Sequence, residues 1–336
     1  MDSKPPNGQQ RCENGSLGSS AHIDTISLAD IDEKDTTYRI TTRKQLKNLR
    51  DSIQSLGLLH PPMLIEHPSG YSIISGFRRI AACGQLGWKS ITARIHSADA
   101  NRFEIAQLAI ADNALQRPLN LVETSRALNL LVETSTDQQQ LGKALISLGL
   151  PTNTSAALKV QQICRLPQPI QKGILSDTIN LSMALELGKL DDRDATALVG
   201  FFSQLKVGLN KQRELLLLLN EIAKREDIPI QQLIAEKPLQ NILQNKDLDR
   251  AVQRQKVRSH LRCRRYPTLF KAEADYRKHV QRLKLGRHIR LVAPRDFEGT
   301  TYAMTLHFKN RKDLGRLKEK IQNILDHPAL GEILKR

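Results

Sequence analysis

The chain is 336 residues long, with 40% hydrophobic and 26% charged residues and a formal net charge of +16 at neutral pH, enough apolar material for two or three small domains with cores of their own. No apolar run reaches the roughly 18 residues that span a bilayer, the opening Met1-Asp2-Ser3-Lys4-Pro5-Pro6-Asn7-Gly8 is polar and unlike a signal peptide, and Cys12, Cys83, Cys164 and Cys263 stand singly, without disulfide or zinc-ligand spacing. A cytoplasmic protein is expected. The charge is regional: residues 250–336 hold 23 Lys/Arg against 8 Asp/Glu, which is +15 of the total. Such an excess attracts polyanions and favours DNA or RNA over a membrane surface, for which aromatic anchors are few.

Residues 1–22 are rich in Gly, Ser, Asn, Pro and Gln and are expected to be a disordered tail. Ile26-Ser27-Leu28-Ala29-Asp30-Ile31 alternates as a strand. Leu46, Leu49, Ile53 and Leu56 share one helical face in a helix from Thr42 that closes at Gly57. Met63–His67, a Pro68-Ser69-Gly70 turn and Tyr71–Ile74 form a hairpin that runs into Ser75-Gly76-Phe77-Arg78-Arg79. A helix over about 78–86 and a strand at 91–95 complete a small α/β unit. A glycine followed by paired arginines between a strand and a helix presents cations and free amides to a phosphate.

From Asn101 the pattern is helical. Phe103–Ile110 leads to Asp112-Asn113, Asn120 caps a helix over Leu121–Thr134, and Gln138–Leu148 stops at Gly149-Leu150-Pro151. Thr152, Asn153, Thr154 and Ser155 offer capping side chains to a further helix, Ala156–Leu166. Two helices joined through a glycine-containing turn suggest a helix-turn-helix, although any α-helical hairpin shares that pattern. Helices continue over Leu215–Lys224 and Ile230–Ile234, then as basic segments Arg250–His260 and Ala272–Leu285 broken at Tyr266-Pro267. Ile289–Val292 and the alternating Tyr302, Met304, Leu306 and Phe308 give a hairpin with one apolar face, followed by an amphipathic helix Leu314–Leu325. A two-stranded hairpin is marginal alone, so a second copy of the chain is expected to complete it.

Several of these stretches occur in a known order. Ser52-Ile53-Gln54-Ser55-Leu56-Gly57-Leu58-Leu59-His60-Pro61-Pro62, Ile73-Ile74-Ser75-Gly76-Phe77-Arg78-Arg79-Ile80-Ala81-Ala82, Leu86-Gly87-Trp88 and Ile91–Ile95 together resemble the amino-terminal domain of the ParB/KorB family of chromosome and plasmid partition proteins. Cys164-Arg165-Leu166-Pro167 and Leu181-Ser182-Met183-Ala184 resemble the segment after the helix-turn-helix in that family. The resemblance covers roughly residues 23–200. It implies an α+β, mostly helical protein: a ParB-like α/β domain over 23–100, a helical helix-turn-helix domain over 101–205, a basic helical region over 206–285 and a ββα dimerisation unit over 286–336. It also implies a homodimer on double-stranded DNA at the nucleoid, a CTP-like nucleotide with Mg²⁺, and a ParA-type ATPase partner.

Site residues are implied by the same resemblance. Arg39, Ser75, Gly76, Arg78, Arg79, Asp112 and Asn113 would bind nucleotide, with Asp112 and Asn113 placed to hold the metal; surface arginines flanking a turn and a helix-capping pair are the plainer readings. The chain also departs from the family pattern. Phe77 stands where the family has Glu and Ala81 where a further Arg is frequent, and Gln116 rather than Arg117 takes the arginine position of the second patch. A CTPase with a degenerate motif and a binder without turnover therefore both remain open. A sulfiredoxin-like reaction is disfavoured, since Phe77 rather than cysteine comes after Gly76. For DNA, Thr152, Asn153, Thr154, Ser155, Lys159 and Gln162 would read or position the duplex. Leu158 is expected in the core, and Arg262, Arg264 and Arg265 would add phosphate contacts. A transcriptional regulator on the same scaffold is the alternative role.

Overall fold

The alternation Ile91, Ala93, Ile95 sets one face of strand β5 (Ser90–His96) into a core. Around it the chain builds a five-stranded mixed sheet from β1 (Ala21–Ser27), β2 (Ile31–Asp32), β3 (Met63–His67), β4 (Gly70–Ser75) and β5, in the order β1-β5-β3-β4-β2. β1 runs antiparallel to β5 along its whole length, from Ala21 opposite His96 to Ser27 opposite Ser90. β3 and β4 form the expected hairpin, and β3 lies parallel to β5. The computed structural model describes residues 21–335, so most of the expected tail, Cys12 included, lies outside the described residues. Ala21 and His22 already belong to β1.

Helices α1 (Lys47–Leu56) and α2 (Phe77–Gln85) cover the sheet, packing Ile53, Ile80 and Cys83 against Leu64, Ile73 and Ile95. α1 begins at Lys47 and not at Thr42, because residues near Thr42 are bonded elsewhere: its amide and hydroxyl both donate to Glu123 Oε1, at 2.8 and 3.1 Å. α3 (Arg102–Ala114) buries Phe103, Ile105 and Ile110 and packs on both β4 and the helix that follows it, joining the sheet to the helical part of the chain.

α4 (Leu121–Thr134) matches its sequence expectation to the residue. Asn120 accepts from the amides of Val122 and Glu123, and Glu123 reaches back to the Asn120 amide, a capping box that fixes the helix start. α5 (Gln138–Ser147) and α6 (Thr154–Gln161) come next, joined by six residues, and a 3₁₀ turn (Gln162–Arg165) prolongs α6. α7 (Gln168–Leu175) and α8 (Leu181–Leu187) end this first unit, which runs through Leu190.

The second unit starts at Asp191, earlier than the expected boundary at 205. It comprises α9 (Asp192–Leu205), α10 (Leu209–Glu226), α11 (Ile230–Ala235), α12 (Lys237–Gln244), α13 (Arg250–Arg265) and α14 (Pro267–Arg282). Pro267 stands in the first turn of α14, so the break at Tyr266-Pro267 falls where proline requires it. Strands β6 (Ile289–Val292) and β7 (Ala303–Leu306) pair antiparallel, and α15 (Arg311–Leu325) and α16 (Pro328–Leu334) pack with them around Leu291, Leu317, Ile324 and Leu330. α16 was not expected from the sequence, and Phe308 lies beyond β7, half exposed. The protein is thus mostly helical with a small mixed sheet. Among the described residues, no helix is long and apolar enough to cross a membrane.

Candidate functional site

Gly76 ends β4 with φ of +100°, a conformation that costs a side chain dearly. A Cβ there would also lie 2.6 Å from Cβ of Pro62, so glycine is required both by the turn and by the close approach of the 60–62 loop. No side chain caps α2, so its first-turn amides have no side-chain acceptor at the cap. Gly76, Phe77, Arg78 and Arg79 line a cleft of ≈ 1060 Å³.

The cleft is strongly cationic: Arg43, Arg78, Arg79, Arg94 and Arg117 line it, against one carboxylate, Asp112. Arg79 is tied at both ends. Its Nη1 donates to the carbonyls of His60 (2.8 Å) and Pro61 (3.2 Å), and its Nη2 to Asp112 Oδ2 (2.8 Å). Ser75 Oγ donates to the same carboxylate oxygen, and Gln116 donates to the other at 3.2 Å. Arg79 therefore serves to hold the loop and Asp112 in place.

Arg78 is different. Its Nη2 donates to the Gln45 carbonyl at 2.6 Å, and among the described residues its buried Nε has no hydrogen-bond partner and no carboxylate pairs with it. Burial first, then repulsion from Arg43 and Arg117, disfavours its charge. With only Arg79 and Arg117 of the five paired to carboxylates, the assembly keeps an excess of positive charge that an anion relieves, and the forked guanidinium donors suit phosphate oxygens.

Arg117 closes the cleft through Glu123, which is fully buried. The two share a bidentate pair at 2.6 and 2.7 Å. Burial alone would raise the Glu123 carboxyl, but donation from Arg117, the Thr42 amide and the Asn120 amide outweighs it and holds the pKa at about 2. This carboxylate anchors the 40–43 strip, and with it Arg43, to the start of α4.

Of the residues expected at the nucleotide site, Ser75, Gly76, Arg78, Arg79, Asp112 and Asn113 line one cleft. Arg39 does not: its guanidinium stacks 5.5 Å over the Phe77 ring, and its side chain lines a separate cleft across the strip. Phe77, in the place of the family Glu, packs half-buried against the sheet core. Asp112 and Asn113 fit a magnesium ion poorly. The carboxylate already accepts from Arg79, Ser75 and Gln116, the Asn113 amide donates to the Ala109 carbonyl, and no cluster of three metal-ligating side chains occurs among the described residues.

The helix pair α5–α6 offers a second surface. Thr152, Thr154, Ser155, Lys159 and Gln162 are all exposed at or along α6, while Val160 and Ile163 are buried. Asn153 is exposed too, but its Oδ1 caps α6 by accepting from the amides of Ser155 and Ala156. Leu158, expected in the core, is 55% exposed on the same face as Ser155 and Lys159. Buried Ser125 of α4 pins the far end of the helix, donating to the Gln161 carbonyl (3.0 Å) and accepting from the Cys164 amide (2.8 Å).

The basic segment reads differently in three dimensions. Arg264 is shared between Glu226 and Glu236, Arg265 pairs with Glu221 at 2.6 Å, and Arg262 with Glu273 at 3.0 Å. These three guanidinia are committed to carboxylates rather than left free for phosphates, and most of those carboxylates come from α10 and the α11–α12 junction, outside residues 250–336. Counting charge within a segment missed them. Arg43, Arg94 and Arg117 were missed at the cleft for the opposite reason: they approach it from three separated stretches. The one available signal was that Arg117 stands a turn of helix beyond Asp112-Asn113.

Residues 13–113 match the ParB N-terminal domain family. A nucleoid occlusion protein of Oceanobacillus iheyensis is 28% identical over 178 residues, 52% of this chain and 60% of that one. The chromosome-partitioning protein ParB of Myxococcus xanthus is 27% identical over 145 residues, 43% and 47% of the two chains. The chain thus spans about half to three-fifths of the length of these relatives. The solved structure of a C-terminally truncated ParB from Caulobacter crescentus complexed with CTP-gamma-S aligns with 54% of this chain and 98% of that one, at 20% identity and a TM-score of 0.25.

Proposed function

We propose that the protein, whose residues 13–113 match the ParB N-terminal domain family, is a sequence-specific DNA-binding protein of plasmid or chromosome partition that holds a nucleoside triphosphate in its arginine cleft. The observation that carries the nucleotide reading is the group of Arg43, Arg78, Arg79, Arg94 and Arg117 around a single carboxylate, with Arg78 Nε buried and unsatisfied. CTP is the first ligand to test, because a ParB relative is complexed with its thio-analogue. DNA is engaged by the exposed face of α6, with Gln162 suited to adenine, Lys159 to phosphate or guanine, and Thr154 and Ser155 to phosphates at the helix start.

The nucleotide is held without rapid turnover. Asp112, the sole carboxylate lining the cleft, has both oxygens engaged, and Phe77 supplies no replacement to orient water. The protein acts as a homodimer at the nucleoid, joined through the β6–β7 unit, with a ParA-type ATPase as partner. Calorimetric titration with CTP, alongside phosphate release with and without captured DNA, tests the cleft: binding with negligible release is expected, and rapid release overturns the binder reading. Capture of genomic DNA tests the role. A compact cluster of inverted repeats with spreading is expected of partition, whereas isolated promoter sites would favour a transcriptional regulator.

A further inference from the structure

A second cleft, ≈ 560 Å³, lies on the other side of the Ile40–Thr42 strip, between it and helices α4 and α7. Its charge is as one-sided as that of the first. Arg39, Lys44, Arg126, Arg165 and Lys172 line it, and its one carboxylate, Glu133, already accepts from Asn129 at 2.7 Å. None of the five cations makes a salt bridge among the described residues. Arg126 is partly buried, spends Nη1 on the carbonyls of Ile40 and Thr41 at 3.4 and 3.2 Å, and has its charge disfavoured by burial and then by Arg39. Lys44, Arg165 and Lys172 are exposed.

The position of this cleft says what fills it. Arg165 ends the 3₁₀ turn that prolongs α6, and Lys172 comes next on α7, so the cations sit directly past the C-terminal end of the base-reading helix. A small anion would satisfy one or two cations; five spread across three helices and a loop match a ligand that repeats its charge. We propose that this cleft receives the phosphodiester backbone of duplex DNA beside the groove occupied by α6, with Lys44, Arg165 and Lys172 contacting phosphates and Arg126 holding the strip that bears Arg39. The proposal rests on the reading of α6 as the helix that engages DNA.

The test uses the full-length protein, a genomic fragment captured by it and a mixed-sequence duplex, with binding followed by fluorescence anisotropy over a salt series. Each lost phosphate contact lowers the slope of log K against log salt by about 0.9, so Lys44→Ala/Lys172→Ala is expected to lower it by about 1.8 on both duplexes, with CTP affinity unchanged. Lys159→Ala on α6 is the reference. If Lys159→Ala weakens DNA binding while the double variant keeps the wild-type slope, the cleft proposal is overturned and the reading of α6 stands. Loss of CTP affinity in the double variant at an unchanged DNA slope overturns it in favour of a nucleotide or free-phosphate site. A wild-type protein that binds neither duplex overturns both readings.

Discussion

Replacing Glu123 by Gln removes one charge from the middle of a bonded set and leaves the shape. Glu123 is fully buried, and its pKa of about 2 compares with an ordinary 4.5. At about 1.36 kcal/mol per pH unit, that difference corresponds to about 3 kcal/mol of folding stability at neutral pH, in keeping with the roughly 3–5 kcal/mol seen when one partner of a buried pair is lost. The sign comes from linkage. A carboxyl whose folded pKa is depressed contributes fully above its unfolded value of 4.5, and the contribution fades as pH falls toward about 2. The chain has one tryptophan, Trp88, in the first unit, so its fluorescence during urea unfolding reports on that unit alone. Glu123→Gln is expected to be about 3 kcal/mol less stable at pH 7, and the gap from wild type should narrow steadily between pH 5 and pH 3. A gap of less than about 1 kcal/mol at pH 7, or one that does not change with pH, would refute the reasoning.

Arg78→Gln removes a charge that its neighbours oppose, so stability should stay within about 0.5 kcal/mol of wild type or rise, while CTP affinity in calorimetry falls at least about tenfold; a large loss of stability would show that Arg78 is structural. Ser125→Ala orphans the part-buried Cys164 amide, and Trp88-monitored unfolding should show a loss of about 1–3 kcal/mol together with weaker DNA binding in anisotropy. Leu158→Ala should leave stability within about 0.5 kcal/mol, in contrast to a core leucine at about 2–5 kcal/mol, and a core-sized loss in the same unfolding assay would contradict its exposure. Gly76→Ala should cost at least about 1 kcal/mol from the positive φ alone and displace the Pro62 loop, lowering CTP affinity.

What the sequence made legible is local. The α4 start was readable because Asn120 and Glu123 stand three apart in the chain, and the β3–β4 hairpin because Pro68-Ser69-Gly70 marks its turn. Gly76 and its two arginines were readable because a strand, a glycine and a helix succeed one another without a gap. The true start of α1 was hidden by a bond from Thr42 to a residue 81 positions away. Leu158 was misplaced because an apolar residue in a helix is usually core, and only the packing of α6 on α4 shows which side faces out. Arg264 and Arg265 looked free because their carboxylates, Glu226, Glu236 and Glu221, come from earlier in the chain, and Arg262 because Glu273 lies beyond the Tyr266-Pro267 break, on the next helix. Arg39 obeys the same rule: the strip it belongs to has two faces, and a one-dimensional match cannot say which face the side chain takes.

Ile40 and Thr41 line both clefts. The strip they belong to is held from α4 at two points, Arg126 donating to the carbonyls of Ile40 and Thr41 and Glu123 accepting from the Thr42 amide. Whatever free energy one occupant spends in moving this strip is a free energy that the other occupant meets, with the same magnitude whichever arrives first. Coupling between the two clefts would therefore be carried by displacement of Ile40 and Thr41, the residues that line both.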